Sequence, residues 1–235
     1  NTNLNCNGTD LKKTVAIING GESFTTGEDI YNGDELAKII SSPDKYVTYI
    51  YTGDLITARE FYSNNVLTTK EVFEYNANKQ LISLKRLKPN NAVIYSALYV
   101  HSSDGTVSVT GYKGALTDQN SEIRNRKVFF MNGQISKIET YMMENGSLIT
   151  ETANYTYDGK HTPLGNVPGF DKLTYYDIAL SGNSNNVTTS SFSRSANGSP
   201  DATQIQYNYN AAGYPVTAEE VSTAGKSTIF QYFYE

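Results

Sequence analysis

The feature that most constrains this chain is a short unit that recurs along it. Residues 73–83 (FEYNANKQLIS) and 207–217 (YNYNAAGYPVT) both run aromatic, any residue, Tyr, Asn, Ala, and later a β-branched and a hydroxyl residue. Versions with tighter turns begin at Tyr49 and Phe129, and residues 155–159 (YTYDG) begin in the same way. Residues two apart on a strand share a face. Each unit therefore predicts a strand that ends on two aromatic side chains, a turn and an antiparallel return strand.

Glycine, asparagine and aspartate mark the connections between these strands. Asn-Gly and Asp-Gly tolerate the positive φ angles that tight turns demand. Short connections predict a meander of consecutive antiparallel hairpins. The predicted turns are Thr52-Gly53-Asp54, Ser103-Asp104-Gly105, Asn132-Gly133, Asn145-Gly146, Ala212-Gly213 and Ala224-Gly225. The predicted strands are residues 14–18, 46–51, 55–62, 67–75, 80–87, 92–100, 106–112, 127–131, 134–142, 147–157, 187–194, 203–209, 215–221 and 228–234.

Helix signals are scarce. The best candidate is residues 32–43, where Asp34 can cap the start and Pro43 would stop the helix. Residues 170–178 are a weaker candidate, so we expect one short helix in an otherwise all-β chain. The apolar residues that would share one face of the first helix are Leu36, Ile39 and Ile40.

The bulk composition fits a globular β protein and excludes several other classes. Aromatic residues make up 12% of the 235 residues, which a disordered chain would lack. A chain of this length does not need disulfides or metal ions to fold, and its one cysteine, Cys6, allows no internal disulfide. The net charge is −5 and no long basic run occurs, so nucleic-acid binding is not expected. No apolar run approaches the length of a membrane-spanning helix.

The first residues, NTNLNCNGTD, are polar and lack the charged and apolar segments of a signal peptide. We therefore expect a trimmed mature terminus and a flexible tether over residues 1–12, followed by one β domain over residues 13–235. The residues before Cys6 fit a lipobox poorly. A lipid anchor is therefore expected upstream of Asn1 rather than at Cys6.

No constellation of catalytic or metal-binding residues stands out. His101 and His161 lie far from each other and from Cys6, whereas zinc sites need clustered ligands. Neither a nucleophile elbow nor a nucleotide-binding glycine motif occurs. Glu219 and Glu220 would point to opposite faces of a strand, so they are not the carboxylate pair of a glycoside hydrolase. We predict no catalytic residue, no metal and no cofactor.

The unit that begins at Tyr155 departs from the others after its aromatic pair. Asp158-Gly159 predicts a turn, and Pro163 would block the usual return strand. We therefore expect His161 to be a solvated loop residue.

The tyrosine stripes are the one feature that indicates binding. Ile205, Tyr207 and Tyr209 share a strand face. The last predicted strand is apolar on both faces, and such strands are usually covered on both. Tyrosine suits a wet groove, because its ring stacks on a ligand while its hydroxyl stays hydrated. These rings either form the inner face or line a groove for a sugar or peptide polymer. The candidate ligand-binding residues are Tyr207, Tyr209, Tyr232 and Tyr234.

The repeated units resemble the YD repeat of RHS-type proteins, whose consensus is roughly Tyr-x-Tyr-Asp-x-x-Gly-x-Leu-Thr. Residues 207–217 match it best, with Asn210 at the Asp position and Pro215 near the Leu position. Residues 45–235 also resemble uncharacterised secreted lipoproteins of Bacteroidota that carry degenerate YD-like hairpins. The segments that carry this second resemblance are residues 155–166 and the strand start Asn185-Asn186-Val187.

The resemblance implies an extracytoplasmic protein of the periplasm or outer-membrane surface, held by a lipid anchor. It implies an antiparallel meander that forms a large curved sheet or an open barrel-like, porin-like fold. We expect a non-enzymatic envelope protein that binds a glycan or peptide polymer. The alternative is a structural or assembly partner of another surface protein, through a sheet face or a free edge strand; a hydrolase is favoured least. Membrane contact is expected only through the anchor.

Overall fold

The chain folds as a closed antiparallel β-barrel. The computed structural model describes residues 8–115, 122–173, 183–195 and 197–235. These residues form 16 strands, each paired with its neighbours in the sequence, and β1 pairs with β16 to close the barrel. The predicted meander is confirmed, and the edge strands that we expected to remain free pair with each other.

The strands are β1 (Leu11–Ile18), β2 (Ser23–Asn32), β3 (Glu35–Ser42), β4 (Lys45–Thr52), β5 (Leu55–Ser63), β6 (Val66–Tyr75), β7 (Leu81–Leu87), β8 (Val93–His101), β9 (Val107–Lys113), β10 (Glu122–Met131), β11 (Gln134–Glu144), β12 (Ser147–His161), β13 (Asn185–Arg194), β14 (Asn197–Tyr209), β15 (Pro215–Ser222) and β16 (Ser227–Tyr234). β1 thus includes Leu11 and Lys12, which we had assigned to the tether, and residues 1–7 lie outside the described residues.

Alternate connections of a closed meander lie at the same end of the barrel. The connection between β12 and β13 folds back into one end, which we call the capped end. Its Val167, Phe170 and Leu173 are buried in the main core cluster, together with strand residues such as Leu36 and Ile56. This segment therefore plugs the barrel from the capped end.

A β-bulge accompanies the aromatic residue of almost every hairpin at the capped end. In the hairpin of β4 and β5, Ile50 is opposite Ala58 but Tyr51 is opposite Ile56, so Thr57 is an extra residue. The extra residue resets the alternation of side chains along the strand. The same register shift occurs at Tyr31, Tyr75, Phe130, Tyr157 and Tyr209.

Tyrosine hydroxyls join each of several hairpins to the preceding one. Tyr75 Oη donates to the carbonyl oxygen of Ile56 at 2.6 Å, and Ile56 is the residue opposite Tyr51. Three further pairs repeat this bond beside a bulge: Tyr157 to Ile135 at 2.5 Å, Tyr207 to Val187 at 2.9 Å and Tyr234 to Pro215 at 2.7 Å. The repeated tyrosines therefore have a structural role, because their hydroxyls donate hydrogen bonds to backbone carbonyl groups next to the bulges.

The helix expected over residues 32–43 is wrong, because these residues form the turn and return strand of the β2–β3 hairpin. Ala37 is the extra residue of a bulge, so Leu36 and Ile39 both pack into the core although they are three residues apart. That spacing imitates one face of a helix. Of the second candidate, Phe170–Leu173 is a 3-10 helix, and residues 174–178 lie outside the described residues. No helix in the described ranges is long and apolar enough to cross a membrane.

The turn expected at Asp158-Gly159 is also wrong, since β12 continues to His161. The register between β12 and β13 shifts between Tyr157 and His161, so Asp158 lies in an irregular stretch of strand. Its carboxylate accepts hydrogen bonds from the backbone amides of Lys160 and Asn186, and these hold the irregularity. His161 is exposed, as expected, but it ends a strand and stacks on Tyr214 with ring centroids 4.9 Å apart.

Candidate functional site

The inner wall of the barrel lines several cavities. One, of about 350 Å³, is lined by Lys45, Glu71 and Arg86 among others. Another, of about 330 Å³, extends from the capped end into the barrel as far as Glu220; we call it the Glu220 chamber. A third, of about 290 Å³, contains Glu151. The cavities differ as possible ligand sites in whether their buried carboxylates are already paired with cations.

In the first cavity, the carboxylate of Glu71 is already paired with cations of the chain. Glu71 is only 1% exposed, and it accepts bonds from Arg59 Nε at 2.7 Å and Arg86 Nε at 2.9 Å. Two guanidinium groups thus compensate one buried carboxylate, and they hold together β5, β6 and β7. These three side chains therefore stabilise the barrel wall.

The Glu220 chamber combines apolar walls with a few polar groups. Strands β13 to β16 and β1 form its wall, and the segment that follows β12 covers it. This composition is typical of small-molecule sites, which are mostly apolar with a small number of convergent polar groups. The lining residues are Leu11, Thr14, Thr162, Pro163, Leu164, Asn185, Asn186, Val187, Ile205, Tyr207, Glu220 and Tyr232.

Strand alternation explains why Glu220 points into the chamber. Glu220 is opposite Ile205 on β14 and Thr228 on β16, whereas Glu219 is exposed on the outer wall. The sequence-based expectation that Glu219 and Glu220 face opposite sides is confirmed. The same alternation directs Tyr207 to the inner wall, where its hydroxyl bond to Val187 fixes the ring.

No cation among the described residues pairs with the carboxylate of Glu220. Within the described ranges it makes no hydrogen bond or ion pair, and burial raises its pKa above the ordinary value. Burial also raises the pKa of Tyr207 and Tyr232, and the nearby carboxylate of Glu220 adds to both shifts. The chamber is therefore a partly desolvated space, and its described lining holds one acidic group without a paired cation.

The four tyrosines proposed from the sequence divide into two pairs. Tyr207 and Tyr232 line the Glu220 chamber. Tyr209 instead donates its hydroxyl to Asp158, and Tyr234 is fully buried with its hydroxyl on Pro215. Glu220 was the residue that sequence reasoning set aside. The signal that points to it is its place on the same strand face as Ala218, beside the stripe that contains Tyr207.

The histidines are placed apart, and each has a local contact. His101 Nε2 lies 2.8 Å from the carbonyl oxygen of Leu81, while His161 stacks on Tyr214 at the capped end. No group of three or more His, Cys, Asp or Glu side chains placed to hold a metal ion occurs in the part of the chain that the structure describes. Cys6 lies outside that part.

Comparison with known proteins supports the fold alone. No protein-family model and no curated protein matches the sequence. Among solved structures, a porin-like protein from Bacteroides vulgatus matches with a TM-score of 0.54 at 15% identity, over 97% of this chain and 99% of that one. A porin-like protein from Bacteroides uniformis matches with a TM-score of 0.56 at 11% identity, over 97% and 98% of the two chains. The chain therefore has the fold of these porin-like β-barrel proteins.

Proposed function

We propose that this chain is a non-enzymatic envelope protein that binds one unit of a glycan or peptide in the Glu220 chamber. The observation that carries the proposal is the chamber itself, an apolar space of about 330 Å³ bordered by Tyr207, Tyr232 and one carboxylate. Its volume lies at the lower end of the range for ligand sites, about 300–1,000 Å³. A single sugar ring or amino-acid side chain fits that size better than a polymer segment.

The closed barrel changes how a polymer would bind. A polymer cannot lie across an open concave sheet here, because the strands close on themselves through β1 and β16. The proposed ligand is therefore a terminal or protruding unit that enters the barrel, with the rest of the polymer outside. Tyr207 and Tyr232 are the proposed contact residues, while Tyr209 and Tyr234 support the wall.

The envelope location is proposed on two grounds. The fold matches porin-like proteins from two Bacteroides species. The outer wall carries ion pairs such as Lys70 with Glu60 at 3.2 Å and Lys85 with Glu74 at 2.8 Å. Barrel walls that contact lipid present an apolar band instead, so these pairs favour water around this part of the wall. The lipid anchor in the proposal comes from the resemblance of the sequence alone. Fractionation of native cells tests this, and recovery of the protein in the cytoplasm would contradict it.

The alternative function, assembly with another surface protein, would need a face of the outer wall. Met143 and Leu148 are opposite each other at the end of the barrel away from the plug, and they are 68% and 61% exposed. They are the specific observation that favours this alternative. Pull-down of the native protein from the envelope, with Met143→Ser and Leu148→Ser together as the control, would test it.

A thermal-unfolding screen against glycans and peptides tests the binding proposal. A ligand at about 100 times its dissociation constant stabilises the fold by about 2.7 kcal/mol, a shift on the order of 5–11 °C for a chain of this size. The hits should be lost in Ile205→Phe, which fills the chamber, and kept in Gln206→Phe, which adds the same ring to the outer wall. Hits that survive Ile205→Phe, or a panel without any saturable shift, would overturn the chamber as the binding site.

A further inference from the structure

We propose that the Glu220 chamber selects ligands that carry a protonated amine, with the carboxylate of Glu220 as the counter-ion. This inference rests on the proposed function and names the chemistry of its ligand. The amine belongs either to an amino sugar or to a basic peptide side chain, since both present the same ammonium group.

The first argument is charge. The inner-wall neighbours of Glu220 across the strands are Ile205 and Thr228, and neither can carry a positive charge. At Glu71, by contrast, the chain compensates a buried carboxylate with two of its own cations, Arg59 and Arg86. A charge in a partly desolvated space is costly unless it is paired. A ligand ammonium would supply the cation that is missing from the described lining of the chamber.

The second argument is the surroundings of the carboxylate. Tyr207 and Tyr232 border the same chamber, and their negative ring faces attract cations within about 6 Å. The hydroxyl of Tyr232 makes no hydrogen bond to a described residue, so it can accept a bond from an N–H group. The hydroxyl of Tyr207 is already used as a donor to Val187, which leaves its ring as the contact.

The third argument is shape. Leu164 covers one side of the chamber, while Val187 and Ile205 form an apolar wall. An inorganic cation would leave these surfaces without contacts, whereas an amine on a carbon framework would cover them. The combination of one carboxylate, two tyrosines and an apolar wall therefore fits an organic amine.

Two matched ligand pairs test the inference by isothermal titration calorimetry. Glucosamine is compared with glucose, and N-acetyl-lysine amide with N-acetyl-norleucine amide, so that the members of each pair differ chiefly in the ammonium group. We expect the amine of at least one pair to bind at least tenfold more tightly than its neutral partner. The pair that shows the difference identifies the source of the amine as a sugar or a peptide side chain.

Glu220→Gln keeps the shape of the side chain and removes its charge, so it should abolish the tenfold preference while neutral ligands bind as before. Glu219→Gln, one residue away on the outer wall, should keep the preference. Equal affinity within both pairs, or a preference that survives Glu220→Gln, would overturn the inference and leave the proposed function standing. If wild-type protein binds neither the amines nor the neutral ligands, the inference fails; if it also binds no other glycan or peptide, the proposed function fails with it.

Discussion

Arg59 and Glu71 form an ion pair inside the barrel, with Arg59 Nε 2.7 Å from Glu71 Oε2 and Glu71 only 1% exposed. Removal of the carboxylate would leave the charges of Arg59 and Arg86 close together in the wall. Breaking a buried pair from one side costs about 3–5 kcal/mol. We expect Glu71→Ala to lower the free energy of unfolding by about 3 kcal/mol in urea denaturation.

The matched control for that variant is Glu74→Ala on the outer wall, where Glu74 pairs with Lys85 at 2.8 Å. Exposed ion pairs contribute about 0–1 kcal/mol, so this variant should unfold close to the wild type. A Glu71→Ala protein that is as stable as Glu74→Ala would show that the buried pair does not hold the wall.

The plug of the barrel depends on a close approach at Gly169. Its φ is +77°, and a Cβ there would lie 2.9 Å from the amide nitrogen of Ile56 and from the carbonyl oxygen of Asp54. Both neighbours are backbone atoms of the β4–β5 hairpin, so they cannot move aside cheaply. We expect Gly169→Ala to destabilise the fold by about 2–4 kcal/mol, the sum of left-handed strain and overpacking.

Gly53→Ala is the control, because Gly53 has a similar φ of +61° and nothing near its Cβ position. Only the strain of about 1–2 kcal/mol should remain there. Thermal unfolding of both variants measures the difference, and equal melting temperatures would contradict a plug that presses against the hairpin.

Asp29 should make the stability depend on pH. Burial raises its pKa to about 7, and Lys12 lowers it only in part. Between about pH 4 and pH 7 the folded state then binds more protons than the unfolded state, so the free energy of unfolding falls as the pH rises. At pH 8 the full penalty is present, on the order of 4 kcal/mol at most for a shift of about three pH units.

Asp29→Asn removes this penalty. The variant should melt higher than the wild type at pH 8, and the difference should vanish towards pH 4. Asp34→Asn, in the exposed turn after β2, should show no such pH-dependent gain. A gain at pH 8 that persists unchanged at pH 4 would assign the effect of Asp29→Asn to packing rather than to charge.

The tyrosines should separate into structural and ligand-contacting hydroxyls. Tyr234→Phe leaves the buried carbonyl of Pro215 without its donor, which costs about 1–3 kcal/mol. Tyr232→Phe removes a hydroxyl that has no bond to a described residue, so the fold should keep its stability while amine affinity falls. Urea denaturation and calorimetry on both variants check the division, and the reverse pattern would refute it.

Much of the barrel could be predicted from the sequence because hairpins are local. All 14 strands expected from the repeat and the turn residues correspond to observed strands, and Asn132-Gly133 and Asn145-Gly146 adopt the positive φ angles that were expected of them. The missed pair, β2 and β3, carries only part of the repeated unit, because Asp29 stands where the first aromatic residue would precede Tyr31. There, the bulge at Ala37 produced an apolar spacing that resembles a helix.

The chamber could not be predicted in the same way, because distant segments form it. Leu164 follows β12, Thr14 lies on β1 and Tyr232 on β16. They meet only because the barrel closes and the plug folds inward, and no local pattern encodes either event. Strand alternation predicts that Glu219 and Glu220 point to opposite faces, but it does not tell which face is inside. Closure of the barrel determines that Glu220 faces the interior.

The pairing of β1 with β16 also has a consequence for how the chain is made. Each later strand can pair with the strand synthesised just before it, whereas one side of β1 stays without a partner until residues 228–234 have emerged. An exposed strand edge is a site where chains join wrongly. One edge of β1 therefore stays exposed until β16 has been synthesised. A chain cut short late in translation would keep this edge free to pair with another chain.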